Sequence, residues 1–202
     1  MAPDVIAALS TPVHDTIVAL SALGVAGQVI VGLLLLAGVF ALVGRYLQLD
    51  AIRRLLWGYE LWAAFVVAAI ATGGSLFFSQ IAGFIPCEMC WFQRICMYPL
   101  SLLLLFLAWH GDYRAVRYLV PFPIIGAGVS IYHLLIENHV VGEPTACQVG
   151  GTGCATKWID EFGYMTIPTL ALTAFLLLIG FLVLAASGQS GETATLPAHA
   201  ER

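Results

Sequence analysis

Long runs without a charged side chain set the pattern of this chain. Counting Asp, Glu, Lys and Arg as charged, the runs are Thr16 to Gly44 (29 residues), Leu61 to Cys87 (27), Ile95 to Gly111 (17), Tyr118 to Ile136 (19) and Phe162 to Gly191 (30). A helix rises 1.5 Å per residue, so about 20 mostly apolar residues cross the hydrocarbon of a bilayer. Each run is therefore a candidate span, and the pattern predicts helices at roughly 17–43, 56–79, 89–109, 117–137 and 164–186. Short loops join them, so the spans themselves form the domain.

Composition strengthens this picture. Charged residues are 10% of the 202, against about 25% in an ordinary soluble domain, while hydrophobic residues reach 60% and mean hydropathy is +0.93. A soluble globular protein is excluded. The net charge of -4, with no basic run, leaves no electrostatic footprint for nucleic acid.

Five spans alternate the loops between two sides, and the basic residues sort with them. Arg45, Arg53, Arg54, Arg114, Arg117 and Arg202 fall on one side, against Arg94 and Lys157 on the other. Loops rich in Lys and Arg stay cytoplasmic, so the amino terminus and the segments around Cys87 and Cys147 are expected to face outward. Met1 to Asp15 has no basic residue before the apolar run, unlike a cleavable signal peptide, and the first helix reads as a retained anchor. The small, polar tail from Ser187 is expected to be flexible and cytoplasmic. This gives three parts: 1–55 with the first span and a cytoplasmic loop, a four-helix domain at 56–186, and the tail at 187–202.

Four of the five cysteines lie in pairs in the two outward loops. Cys87 and Cys90 sit in Pro86-Cys87-Glu88-Met89-Cys90, and Cys147 and Cys154 close a loop holding Gly150, Gly151 and Gly153. A Cys-x-x-Cys pair at the mouth of a helix suits redox chemistry, because amides at the helix start favour a thiolate and lower a pKa ordinarily about 8.5. The glycines either give the loop mobility for handing on a disulfide or simply let a tight ring close. Trp158, Ile159 and Phe162 can share one face of a short helix, which either lies in the interface and holds the loop near the membrane or simply leads into the fifth helix. Cys96, rotated about 240° from Cys90 on the same helix, reads as a buried small hydrophobe.

Arg94 shares a helix face with Cys90 and lies at the outer membrane boundary. A cation there is costly. It either snorkels to headgroups or serves as electrostatic partner of a Cys90 thiolate and of a reduced acceptor, with Trp91, Phe92 and Tyr98 as flat walls. His133 and Glu137, one turn apart near the outer end of the fourth helix, either move protons or form a hydrogen-bonded pair. Gly73, Gly74, Ser75, Gly126 and Gly128 read as close helix-packing positions, and Pro121 and Pro123 belong near the start of the fourth helix.

Pro86-Cys87-Glu88-Met89-Cys90-Trp91-Phe92-Gln93-Arg94, continued by Met97-Tyr98-Pro99-Leu100, resembles the signature of bacterial disulfide-bond formation proteins of the DsbB type, in their BdbC-like branch. Phe162-Gly163-Tyr164-Met165-Thr166-Ile167-Pro168-Thr169-Leu170 is similar to the same branch. The resemblance implies an all-α membrane protein, a four-helix bundle, here with one extra amino-terminal span and its amino terminus outside. It implies a bacterial inner-membrane enzyme that reoxidises a DsbA-like thioredoxin-fold partner and passes the electrons to a membrane quinone, ubiquinone or menaquinone. By that analogy Cys147 forms the mixed disulfide with the partner, Cys154 exchanges with Cys87, and Cys90 faces the quinone beside Arg94 and Trp91.

Two other functions fit parts of the pattern. Vitamin K epoxide reductase-like enzymes also join a bundle to two cysteine pairs, but in that family the loop pair comes first in the chain. A four-thiolate zinc site usually has two to four residues between paired ligands, whereas six separate Cys147 from Cys154, and no metal is expected.

Overall fold

The structure, a computed structural model, describes residues 10–43, 58–145, 147 and 153–192. Its elements are α1 (Ser10–Val43), α2 (Glu60–Gln80), α3 (Glu88–His110), the short α4 (Val116–Leu119), α5 (Pro121–Glu137) and α6 (Ile167–Glu192). The described residues contain no strand, and five of their helical stretches are long and apolar enough to cross a membrane. The expected five spans are present.

Four helices close a ring in which α2 packs on α3 and α6, and α5 packs on α3 and α6. Their shared core joins Ala64 and Ala68 of α2, Leu100 and Leu104 of α3, Ala127 of α5 and Phe175, Leu178 and Leu182 of α6. Small residues on α2 and α5 let the backbones approach, and Gly126 shows the need, because a Cβ there would overlap the Phe175 ring. Gly74 likewise faces Leu20 of α1, but Gly73 and Gly128 face open space and are not packing positions. The outer surface carries large apolar side chains such as Leu102 and Trp109, exposed by 70% and 74%. Such a surface suits lipid rather than water. Helix α1 lies outside the ring, packed mainly along α6.

Prolines stand in the first turn of the last two long helices. Pro121 stands at the first turn of α5, where its missing amide costs least. Pro168 is the second residue of α6, in the first turn where a missing amide costs least, and α6 starts at Ile167 rather than at 164.

The short interfacial helix expected around Trp158 to Phe162 is absent. Glu161 pairs with Met165 across a tight turn whose Phe162 and Gly163 have φ of 57° and 77°. Left-handed backbone at two successive residues cannot continue a right-handed helix. At the carboxyl end α6 continues to Glu192, six residues into the segment expected to be a flexible tail. Arg45, Arg53, Arg54 and Arg202, and with them most of the charge bias, lie outside the described residues, as do Gly150 and Gly151.

Candidate redox centre

Cys87 is the N-cap of α3, with extended backbone, and Cys90 follows inside the first turn. Their sulfurs are 3.0 Å apart, and both are free thiols. Cys147 and Cys154 are joined in a disulfide. The two pairs meet in one buried cluster: Cys87, Met89, Ile136, Cys147 and Cys154, with Cys90 packed on it. Residues 57 and more positions apart in the chain are thus brought to one end of the bundle.

His133 of α5 sits between the pairs. Its Nε2 is 3.6 Å from Cys87 Sγ and 3.1 Å from the Cys154 carbonyl oxygen, while its Nδ1 is 3.4 Å from Gln93 Nε2. The Gln93 amide is a donor, so the network assigns the proton to Nε2, where it can serve the carbonyl and the Cys87 sulfur. A hydrogen bond from the Cys90 thiol, reinforced by one from His133, outweighs burial and holds the Cys87 thiol well below the ordinary thiol range, at about 4. The sequence placed the favoured thiolate at Cys90; the geometry also provides for one at Cys87.

His133 and Glu137 do not bond to each other as one interfacial pair. Glu137 is 2% exposed and accepts a hydrogen bond from Thr166 Oγ1 at 3.0 Å, leaving its other oxygen without a hydrogen-bond partner. Glu143, unnoticed in the sequence, accepts from the Ala155 amide at 3.3 Å and lies beside the disulfide. Gly153 makes room for it, since a Cβ there would lie 2.8 Å from Glu143 Oε1.

Arg94 is tied inward to α2. Its Nε donates to Ser75 Oγ and its Nη2 to the Ser75 carbonyl, both at 3.0 Å, and Tyr98 OH donates to the same Ser75 Oγ at 3.2 Å. Its guanidinium lies 5.3 Å from the Trp91 ring centre. Ser75 is therefore a polar hub, where the sequence suggested only a small packing residue.

Cys90 and Arg94 open onto an apolar cavity of about 310 Å3 between α1, α2, α3 and α6. Tyr98 lines it as expected, but Trp91 and Phe92 do not; they are exposed by 52% and 45%. The aromatic walls are instead Phe78, Phe84 and Trp158, where Phe84 stacks on Phe78 at 5.9 Å and on Trp158 at 5.0 Å. This ladder ties the approach to Cys87 to the loop after Cys154. Cys96 is 8% exposed within the bundle core, as expected.

A family model described as Disulfide bond formation protein DsbB matches residues 53–186. The chain is 50% identical over 125 residues to Disulfide bond formation protein C of Bacillus subtilis (strain 168), an alignment covering 61% of this chain and 90% of that protein. It is 42% identical over 118 residues to a probable disulfide formation protein C 1 of Bacillus anthracis, covering 58% and 85%. A probable disulfide formation protein of Coxiella burnetii (strain Dugway 5J108-111) is 35% identical over 136 residues, covering 66% and 92%. No solved structure matches the chain.

Proposed function

The chain belongs to the DsbB family of disulfide bond formation proteins and is a membrane thiol oxidoreductase; from that premise we propose that it carries electrons from a thioredoxin-fold dithiol outside the membrane to a membrane quinone. The observation that carries this reading is the position of the Cys87–Cys90 pair, between a disulfide on one side and an apolar cavity on the other.

The electron count closes in three exchanges. A partner dithiol attacks the Cys147–Cys154 disulfide through a mixed disulfide at Cys147, leaves oxidised, and leaves two loop thiols behind. The loop dithiol then reduces a Cys87–Cys90 disulfide, with Cys154 attacking Cys87, and becomes a disulfide again. The Cys87–Cys90 dithiol finally gives up two electrons and two protons and closes its own disulfide. One bonded pair and one free pair is the arrangement after the second exchange. His133 supports it by touching Cys87 and the Cys154 backbone together, which holds the exchanging cysteines in register.

The cavity fits a quinone: it is apolar, it reaches Cys90, and Arg94 and Tyr98 stand at its polar end. When bound, the quinone supplies a two-electron, two-proton sink. Ser75 fixes the Arg94 side chain by two hydrogen bonds, so the cation is held at the cavity rather than drawn to headgroups.

Cys147 is only 1% exposed, so the loop must open for a partner to reach it. Cys154→Ser removes the resolving thiol, and a mixed disulfide between Cys147 and the partner is expected to accumulate on non-reducing gels. Partner oxidation at the wild-type rate in Cys87→Ser/Cys90→Ser would contradict the relay.

A further inference from the structure

Helix α1 lies outside the region matched by the family model, which begins at residue 53. The alignment already covers 90% of the Bacillus subtilis protein with 125 residues, so too little remains there for another span. In this chain α1 nevertheless builds part of the cavity beside Cys90. Leu20, Gly24, Gly27 and Ile30 line it, spaced as one face of a helix. The distance along α1 from Leu20 to Ile30 is about 15 Å at helical rise. The cavity thus runs from Cys90 and Arg94 at one end to Ile30 and Val67 deeper in the bundle.

Close contacts hold this wall in place. A Cβ at Gly27 would lie 3.0 Å from Thr173 Cγ2 and 3.1 Å from Leu177 Cδ1, and one at Gly24 would overlap Leu170 of the same helix. Gln28 Nε2 donates to Thr173 Oγ1 at 3.4 Å, and Gln28 Oε1 accepts from Tyr164 OH at 3.2 Å. The polar atoms of this seam go to α6 and the turn before it, while the cavity side is aliphatic. An apolar slot leading away from a cationic mouth suits a ligand with a polar head and a hydrocarbon tail.

We propose that α1 is the wall that grips the isoprenoid tail of the acceptor quinone, and so sets acceptor specificity in this chain. This rests on the quinone reading of the redox centre. Bilayer hydrocarbon is as apolar as leucine, so the wall acts through shape and close packing rather than through transfer from water. The first isoprene units of the tail are then what α1 senses, and the head is left to Arg94 and Tyr98.

The test uses the wild-type protein in lipid vesicles, with ubiquinone and menaquinone analogues of two isoprene units carrying a diazirine on the second unit. Irradiation is expected to label peptides within residues 20–30 and to lose that label to excess unlabelled isoprenoid quinone. A Leu20→Ala/Ile30→Ala variant is expected to raise KM for the isoprenoid quinone about tenfold, leaving KM for a tail-less dimethoxy-methyl-benzoquinone within about twofold. Competed label on α2, α3 or α6 with none on α1 overturns the inference, whatever the variant does. So does an equal rise in KM for both quinones. Label on none of the cavity helices, together with no quinone reduced by the wild type, overturns the acceptor reading itself.

Discussion

Cys87 gains its acidity from neighbours rather than from position alone. The helix start supplies amides, but the Cys90 thiol at 3.0 Å and His133 at 3.6 Å supply the directed hydrogen bonds. A thiol near 4 is a thiolate throughout the physiological range, so its alkylation rate in the reduced protein is expected to be flat above about pH 5 and to fall as pH drops through 4. Cys90→Ala removes the larger support, and the pH at which Cys87 reacts at half its maximal rate should rise further than in His133→Ala. Rates measured with iodoacetamide between pH 3 and 9 decide the order. At Arg94, Met keeps the length but loses both bonds to Ser75. Quinone affinity is expected to fall by tenfold or more in Arg94→Met, with exchange between the partner and Cys147 unchanged. Arg94→Lys should recover part of it, since lysine keeps the charge without the planar fork.

At the scale of the helix, uncharged runs located the five spans because membrane insertion is decided by local composition. Partners across the bundle were not legible that way. Ser75, Gln93 and Glu143 owe their roles to neighbours 12 to 40 positions away, and nothing in their local spacing reveals this. The stretch after Cys154 misled for a different reason: its apolar spacing suits a helix face, but Phe162-Gly163 turns the backbone left-handed. The two α5 glycines look alike in sequence and differ in surroundings. Gly126→Ala pushes a methyl into the Phe175 ring, a kind of overpacking that costs about 1–3 kcal/mol, and should lower the melting temperature in detergent. Gly128→Ala meets open space and should be neutral or stabilising by up to about 1 kcal/mol. Equal effects of the two would contradict the packing assigned to α5 and α6.

For the molecule as a whole, both cysteine pairs lie at one end of the bundle, joined by His133 and the Phe78–Phe84–Trp158 ladder. We propose that this end faces outside, on the strength of six basic residues in the sequence against two. After reduction, a thiol label that cannot cross membranes is expected to reach Cys147 and Cys154 from outside only. The central claim is that electrons leaving a partner dithiol arrive at a quinone through both pairs. Its most direct measurement mixes the purified protein with a reduced thioredoxin-fold protein and a quinone under anaerobic conditions, following quinone absorbance and partner thiols together. One quinone reduced for each partner disulfide formed, with catalytic turnover of both abolished in Cys87→Ser and in Cys147→Ser, is the expected result. Partner oxidation without quinone loss, or quinone reduction that persists in either variant, would contradict it.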